Sequence, residues 1–167
     1  MRPSVIGIAQ QLAAQLLRFP TVTLDRQLGH ISDIASMLPG DVGSPLATLA
    51  DHLRGAGPAT AIEEYMATFA PGGCLLFLSR PDDPTFTLAY GRAGFKLADN
   101  ERADFLPAVL EFAAARVAAE DFCGQELLCG YRPALDEITA ALAEIHSPYL
   151  LAVDAVGATL PQLHPAG

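Results

Sequence analysis

Residues 105–120 read FLPAVLEFAAARVAAE. Phe105, Val109, Phe112 and Arg116 recur at helical spacing and share one side of a helix. Pro107 is tolerated only in a first turn, where its missing N–H has no intrahelical acceptor to lose, so the regular helix begins near Leu106. The alanines at 113–115, 118 and 119 let neighbouring helices approach closely.

The same helical period recurs in both directions from this segment. On the N-terminal side, PATAIEEYMATF (58–69) sets Ile62, Tyr65, Met66 and Phe69 on a stripe. SPLATLADHLRG (44–55) offers Ser44 as an N-cap, Pro45 as the first helical residue, and Leu46, Leu49 and Leu53 on one face. Leu24, Leu28, Ile31, Ile34 and Leu38 form another stripe, stopped by LPGD (38–41), and Val5, Ile8, Leu12 and Leu16 form one that ends before Pro20. On the C-terminal side, FCGQELLCGYRP (122–133) is a connector with some helix, and Leu135, Ile138, Leu142 and Ile145 mark a helix. Ser147 and Pro148 then restart the chain as N-cap and first residue of a last helix carrying Tyr149, Val153, Val156 and Leu160.

Between residues 74 and 101 the pattern is weaker. CLLFLS (74–79) fits a buried strand or a helical turn; no other run alternates to pair with it, so it reads as core associated with helices. SRPDDPTF (79–86) is a loop, and LAYGRAGFKLADNE (88–101) a short helix broken by Gly91 and Gly94. Seven or eight helices, short connections and no repeat unit predict one all-α domain over residues 1–160, followed by a flexible tail, 161–167.

The chain is 51% hydrophobic and 17% charged, enough apolar material for a core and too little charge for disorder. No run reaches the roughly 20 apolar residues that span a bilayer. Glutamines at 10, 11 and 15 interrupt any signal-peptide core, so the N-terminus reads as a helix of the domain and the expected location is the cytoplasm. A net charge of −9, with Lys96 the single lysine, argues against nucleic acid as a partner.

Chemistry-bearing patterns are few. The sequence has no nucleophile elbow, Gly-rich phosphate loop, zincin motif or dinucleotide fingerprint. His30 lies one helical turn from Asp33 in GHISD, which reads as a solvated polar face more readily than as a base and its orienter. His52, His146 and His164 have no ligand or catalytic spacing around them. Cys74, Cys123 and Cys129 form no C-x-x-C and read as buried reduced thiols. No catalysis, metal or cofactor is expected.

The acids are the exception. From Asp99 to Glu126 there are seven (99, 101, 104, 111, 120, 121 and 126) against Arg102 and Arg116, a local −5 of the total −9. Acids are favourable near a helix start, and Asp99, Glu101 and Asp104 stand before one. A surface that holds a positively charged partner is the other reading. EEYMATF (63–69) poses the same choice, with an aromatic core stripe at Tyr65 and Phe69 and two glutamates on another face.

Taken in order, EEYMATF, CLLFLS, YGRAGF and ADFLPAVLEFAA resemble the NarJ branch of the NarJ/TorD-type chaperones. LLRFP (16–20) and SPYLLAVDAVGATLP (147–161) fit that family's early and closing motifs. Ala70 stands where the family usually has Asp, ERAD (101–104) replaces Glu-Leu-Pro-Asp, and the stretch from Ser79 to Tyr90 is shortened.

The resemblance implies an all-helical, cytoplasmic, non-enzymatic protein that assembles molybdenum-cofactor oxidoreductases. Its implied partner is the N-terminal peptide of a molybdoenzyme catalytic subunit, the alpha subunit of a respiratory nitrate reductase first. The implied peptide site is a groove between helices 58–69 and 105–119, drawing on Glu63, Glu64, Tyr65, Phe69, Asp104, Leu106, Pro107 and Glu111. A chaperone of the same fold for another molybdoenzyme, a small all-α enzyme or ligand-binding domain, and a plain helical interaction module are the alternatives.

Overall fold

The computed structural model describes residues 1–70 and 74–161. The decisive segment forms α6, Leu106–Ala118. Phe105 is extended at its N-cap (φ −67°, ψ 120°) and Pro107 sits in the first turn, as its missing N–H requires. Leu106, Val109, Leu110, Phe112 and Ala113 are all fully buried, so α6 is a central helix and not an amphipathic surface one.

Eight further helices surround it among the described residues: α1 (Pro3–Leu16), α2 (Val22–Ser36), α3 (Gly40–Ala56), α4 (Pro58–Phe69), α5 (Thr85–Ala93), α7 (Cys123–Gly130), α8 (Arg132–Glu144) and α9 (Leu150–Thr159). The fold is all-α and forms a single domain around one core, as the periodicity predicts. α1 lies antiparallel on α6: Gly7 faces Ala114 and Val117 near the end of α6, and Arg18 faces Glu111 in its first half. α2 and α3 form a hairpin, and α9 packs across α3 and α1.

Two glycines make these contacts possible. A Cβ on Gly43 would stand 2.2 Å from the Ala35 carbonyl oxygen, and one on Gly124 would stand 2.4 Å from Ala113 Cα. Both clashes are with backbone, which does not move aside cheaply.

Several local expectations change. The connector 122–133 is itself α7 and the start of α8, divided at Tyr131 (φ −104°, ψ 20°), which raises the helix number to nine among the described residues. α3 begins at Gly40, so Ser44 is not its cap and Pro45 lies inside it. The turn closes before the proline, since the Val42 and Gly43 N–H groups already donate to the Pro39 carbonyl. α5 starts at Thr85, whose N–H and hydroxyl both donate to the Asp83 carboxylate, and runs through Gly91 to a left-handed Gly94 (φ 69°). α9 begins at Leu150, after a turn in which Ser147 Oγ accepts the Tyr149 N–H.

CLLFLS supplies core residues, as expected, but it makes a single β-bridge after a turn and is not helical. Phe77 forms an antiparallel bridge with Phe105, the Leu78 N–H donates to the Asp104 carbonyl and the Leu106 N–H to the Leu76 carbonyl. Leu76 and Leu78 face the core while Phe77 is half-exposed, the alternation of a short strand. Its partner is the non-helical lead-in to α6, which no search for a second alternating run would find.

Ile8, Ile62, Met66 and Ile145 complete their stripes in sequence yet remain exposed. The cysteines are free and half-buried, not fully buried. Of the expected tail, Pro161 is exposed and its carbonyl accepts from Arg132. Residues 162–167 lie outside the described residues.

Candidate functional site

Asp104 explains why a carboxylate enters so apolar a run. Its oxygens accept from Ser79 N–H (3.0 Å), Ser79 Oγ (3.1 Å), Arg102 Nε (2.9 Å) and Arg102 Nη2 (2.7 Å). The Arg102 guanidinium lies 3.7 Å above the Phe77 ring and also donates to the Ser79 carbonyl. The Asp104 side chain is 6% exposed. It makes no cap in α6; it fastens residues 77–79 to the start of the central helix.

Glu111 is also engaged. Its two oxygens accept from Arg18 Nε (2.8 Å) and Nη2 (3.1 Å), while Glu101 accepts from Nη1 (2.8 Å) and Nη2 (3.0 Å) of the same guanidinium. Two forked pairs on one cation are the strong geometry for such bonds. The hydrogen bond to Glu101, and after it that to Glu111, push Arg18 above its ordinary value against the opposing effect of burial. The Phe105 ring packs beneath this cation at 5.6 Å.

The other predicted site residues are divided between core and surface. Tyr65 and Phe69 are buried in an aromatic cluster with Tyr149, and the Tyr65 hydroxyl donates to the Leu17 carbonyl. Burial pushes that phenol up to about 12. Leu106 and Pro107 are buried too. Glu64 pairs with His52 at 2.9 Å, and Glu63 is exposed. Residues Leu17 and Arg18, at the end of α1, thus stand between α4 and α6, where the sequence places a groove. Of the eight residues, Tyr65 bonds Leu17 and Glu111 bonds Arg18, whereas Asp104 holds Ser79 and Arg102 and Glu64 holds His52.

A polar hollow of about 400 Å³ opens beside the Arg18 pairs, with Lys96 and Asp99 on its far side. A larger groove of about 880 Å³ lies elsewhere, between α1, α2 and the C-terminal half of α6. Its floor is small, with Gly7, Ala114, Ala115 and Ala118, and its walls carry Ile8 from α1 and Ile34 from α2. Sequence reading passed over this groove. Its one signal in the sequence was the alanine run of α6.

His30 lines the same groove and is exposed, as is Asp33, so the pair is a polar face. Among the described residues no three His, Cys, Asp or Glu side chains gather closely enough to hold a metal ion. No helix among them is long and apolar enough to cross a membrane. Burial pushes the thiols of Cys74 and Cys123 up, away from the reactive thiolate.

The chain matches no family model. It is similar to the nitrate reductase-like protein NarX of two Mycobacterium tuberculosis strains, CDC 1551 / Oshkosh and ATCC 25618 / H37Rv. The identity is 31% over 160 aligned residues, covering 89% of this chain and 24% of each relative. The chain therefore spans about a quarter of the length of these curated relatives.

Proposed function

We propose that the chain is a non-catalytic assembly chaperone that binds the N-terminal segment of the catalytic subunit of a nitrate reductase. On this reading it works in the cytoplasm, carries no cofactor and keeps its client competent for molybdenum cofactor insertion. The observation that carries the proposal is the likeness to a nitrate reductase-like protein along nearly nine-tenths of the chain. The order of its motifs, from EEYMATF to SPYLLAVDAVGATLP, supports the same reading.

The site differs from the sequence expectation, because most of its residues are buried or already paired. Arg18 already occupies Glu111 and Glu101, Asp104 is enclosed and Glu64 pairs with His52, so among the described residues Glu63 is the predicted acid left to meet a cationic side chain. A client of the same enzyme class other than nitrate reductase is the second reading, favoured by Ala70 and by the ERAD lead-in.

The test is affinity capture of the tagged chain from cells that express it under nitrate respiration. Recovery of a nitrate reductase catalytic subunit, lost when that subunit's N-terminal segment is deleted, supports the proposal. Recovery of a different molybdoenzyme subunit moves it to the second reading. A purified chain that turns over a substrate without any partner overturns it.

A further inference from the structure

We propose that the groove between α1, α2 and α6 seats a helix of about a dozen residues, contributed by a partner, whose inward face is aliphatic and uncharged. The source of that helix rests on the chaperone reading; the fit rests on the groove.

Three stripes converge on the void. α1 presents Ser4, Ile8, Gln11 and Gln15, spaced by four, three and four residues. α2 presents Gln27, Ile31 and Ile34, and α6 presents Ala115 and Ala118. Each set follows the spacing of one helix face, and a helix face at that spacing is what another helix packs into. Ile8, 42% exposed, and the exposed Ala115 and Ala118 have no covering element among the described residues. Gly7 and the alanines keep the floor low, which suits close approach of a backbone. The α1 wall from Pro3 to Gln15 is about 18 Å long at 1.5 Å per residue, the length of a helix of roughly 12 or 13 residues.

Charge selects the occupant. Among the described residues the lining contains no lysine or arginine, one carboxylate at the end (Glu120), the imidazole of His30, and the amides of Gln11, Gln15 and Gln27. Burying a charged side chain against the aliphatic floor leaves it without a counter-ion, whereas hydroxyl or amide groups along the helix edges find the three glutamines. Association through this face is therefore insensitive to salt, unlike docking to an acidic rim. A second copy of the chain is a poor occupant, since each copy carries −9.

The experiment titrates ¹⁵N-labelled protein with an end-capped peptide of about thirteen Leu, Ala, Gln and Ser residues, its leucines on one helical face. A scrambled peptide of the same composition is the control. Expected are binding with gain of helix, amide shifts at Gly7, Ile8, Ala115 and Ala118, equal affinity at low and high salt, and no binding of the scramble. Ala115→Arg and Ala118→Arg, at exposed positions that keep the melting temperature, reduce affinity about tenfold or more. Asp136→Asn, at an exposed position of α8 outside the groove, leaves it unchanged.

Unchanged affinity in both arginine variants overturns the proposal. So does binding that fades with salt and weakens in Glu63→Gln, which puts the occupant on the acidic side. Concentration-dependent dimerisation abolished by Ala115→Arg overturns it in favour of a second copy. Peptide binding in the groove without capture of any molybdoenzyme subunit from cells keeps the site and removes the chaperone reading.

Discussion

Arg18 and Glu111 join the end of α1 to the first half of α6 through two hydrogen bonds, 2.8 and 3.1 Å long. Glu111 is therefore part of the frame, and its replacement is felt in stability before it is felt in binding. Glu111→Gln keeps the shape and leaves Arg18 its fork to Glu101. The expected loss is about 1 kcal/mol, because the pair is partly exposed. Arg18→Met leaves two carboxylates facing each other without their cation, and its expected loss is about 2 kcal/mol or more. Urea melts of the two variants and the double mutant give the coupling; equal stability of both variants with wild type refutes the brace.

Asp104 is the stricter case. Asp104→Ala leaves the Ser79 N–H and hydroxyl and the Arg102 guanidinium without their acceptor in a nearly enclosed place. The expected loss is about 2–4 kcal/mol. Hydrogen exchange at Leu78 and Leu106, the two amides of the bridge, should accelerate more than at the middle of α6. A uniform acceleration would mean that the clamp is only a generic core contact.

Glycines separate close approach from idle freedom. Gly124→Ala drives a Cβ into the α6 backbone at Ala113 and is expected to cost about 2–3 kcal/mol. A Cβ on Gly157, inside α9, would meet nothing within 4 Å. Gly157→Ala is expected to stabilise by about 0.5–1 kcal/mol through helix propensity. Thermal melts of the pair should move in opposite directions.

Acid stability turns on three aspartates. The Cys123 N–H, and after it Arg116, hold Asp121 below the usual carboxylate range; Thr85 and Tyr131 do the same for Asp83. A depressed carboxylate contributes stability that is full above its unfolded value, near 3.8, and is lost as pH falls through the lower folded value. Asp154 runs the other way, because burial raises it and the folded form takes its proton earlier. Melting temperature should fall on acidification below about pH 4, less steeply in Asp121→Asn. Asp154→Asn should raise it at neutral pH, where the wild-type charge is at a disadvantage. A wild-type profile flat to about pH 2 would contradict both assignments.

The helical class and most of the core were legible in the sequence because burial follows period. Leu46, Leu49 and Leu53, and later Tyr149, Val153, Val156 and Leu160, are buried as spaced. The roles of the acids were not legible. Glu111 is fixed by a residue 93 positions away, and Asp104 by Arg102 beside it together with Ser79, 25 positions away; no local pattern encodes the distant partners. The groove was hidden for a related reason. Ile8 fits its stripe as well as Leu12 does, and only the path of α2 and α6 decides that one is covered and the other is not.

The short bridge of Phe77 to Phe105 has a consequence for how the chain can vary. With the Asp104 clamp it ties off the segment between Ser79 and Arg102 as a closed loop, with α5 inside it. The entropy of closing such a loop grows only with the logarithm of its length, about 0.6 kcal/mol for each doubling. Arg80, Pro81 and Asp82 at its mouth are at least partly exposed. Residues can be gained or lost there across evolution at little cost, while Asp83 still starts α5 and Phe86 and Tyr90 still enter the core.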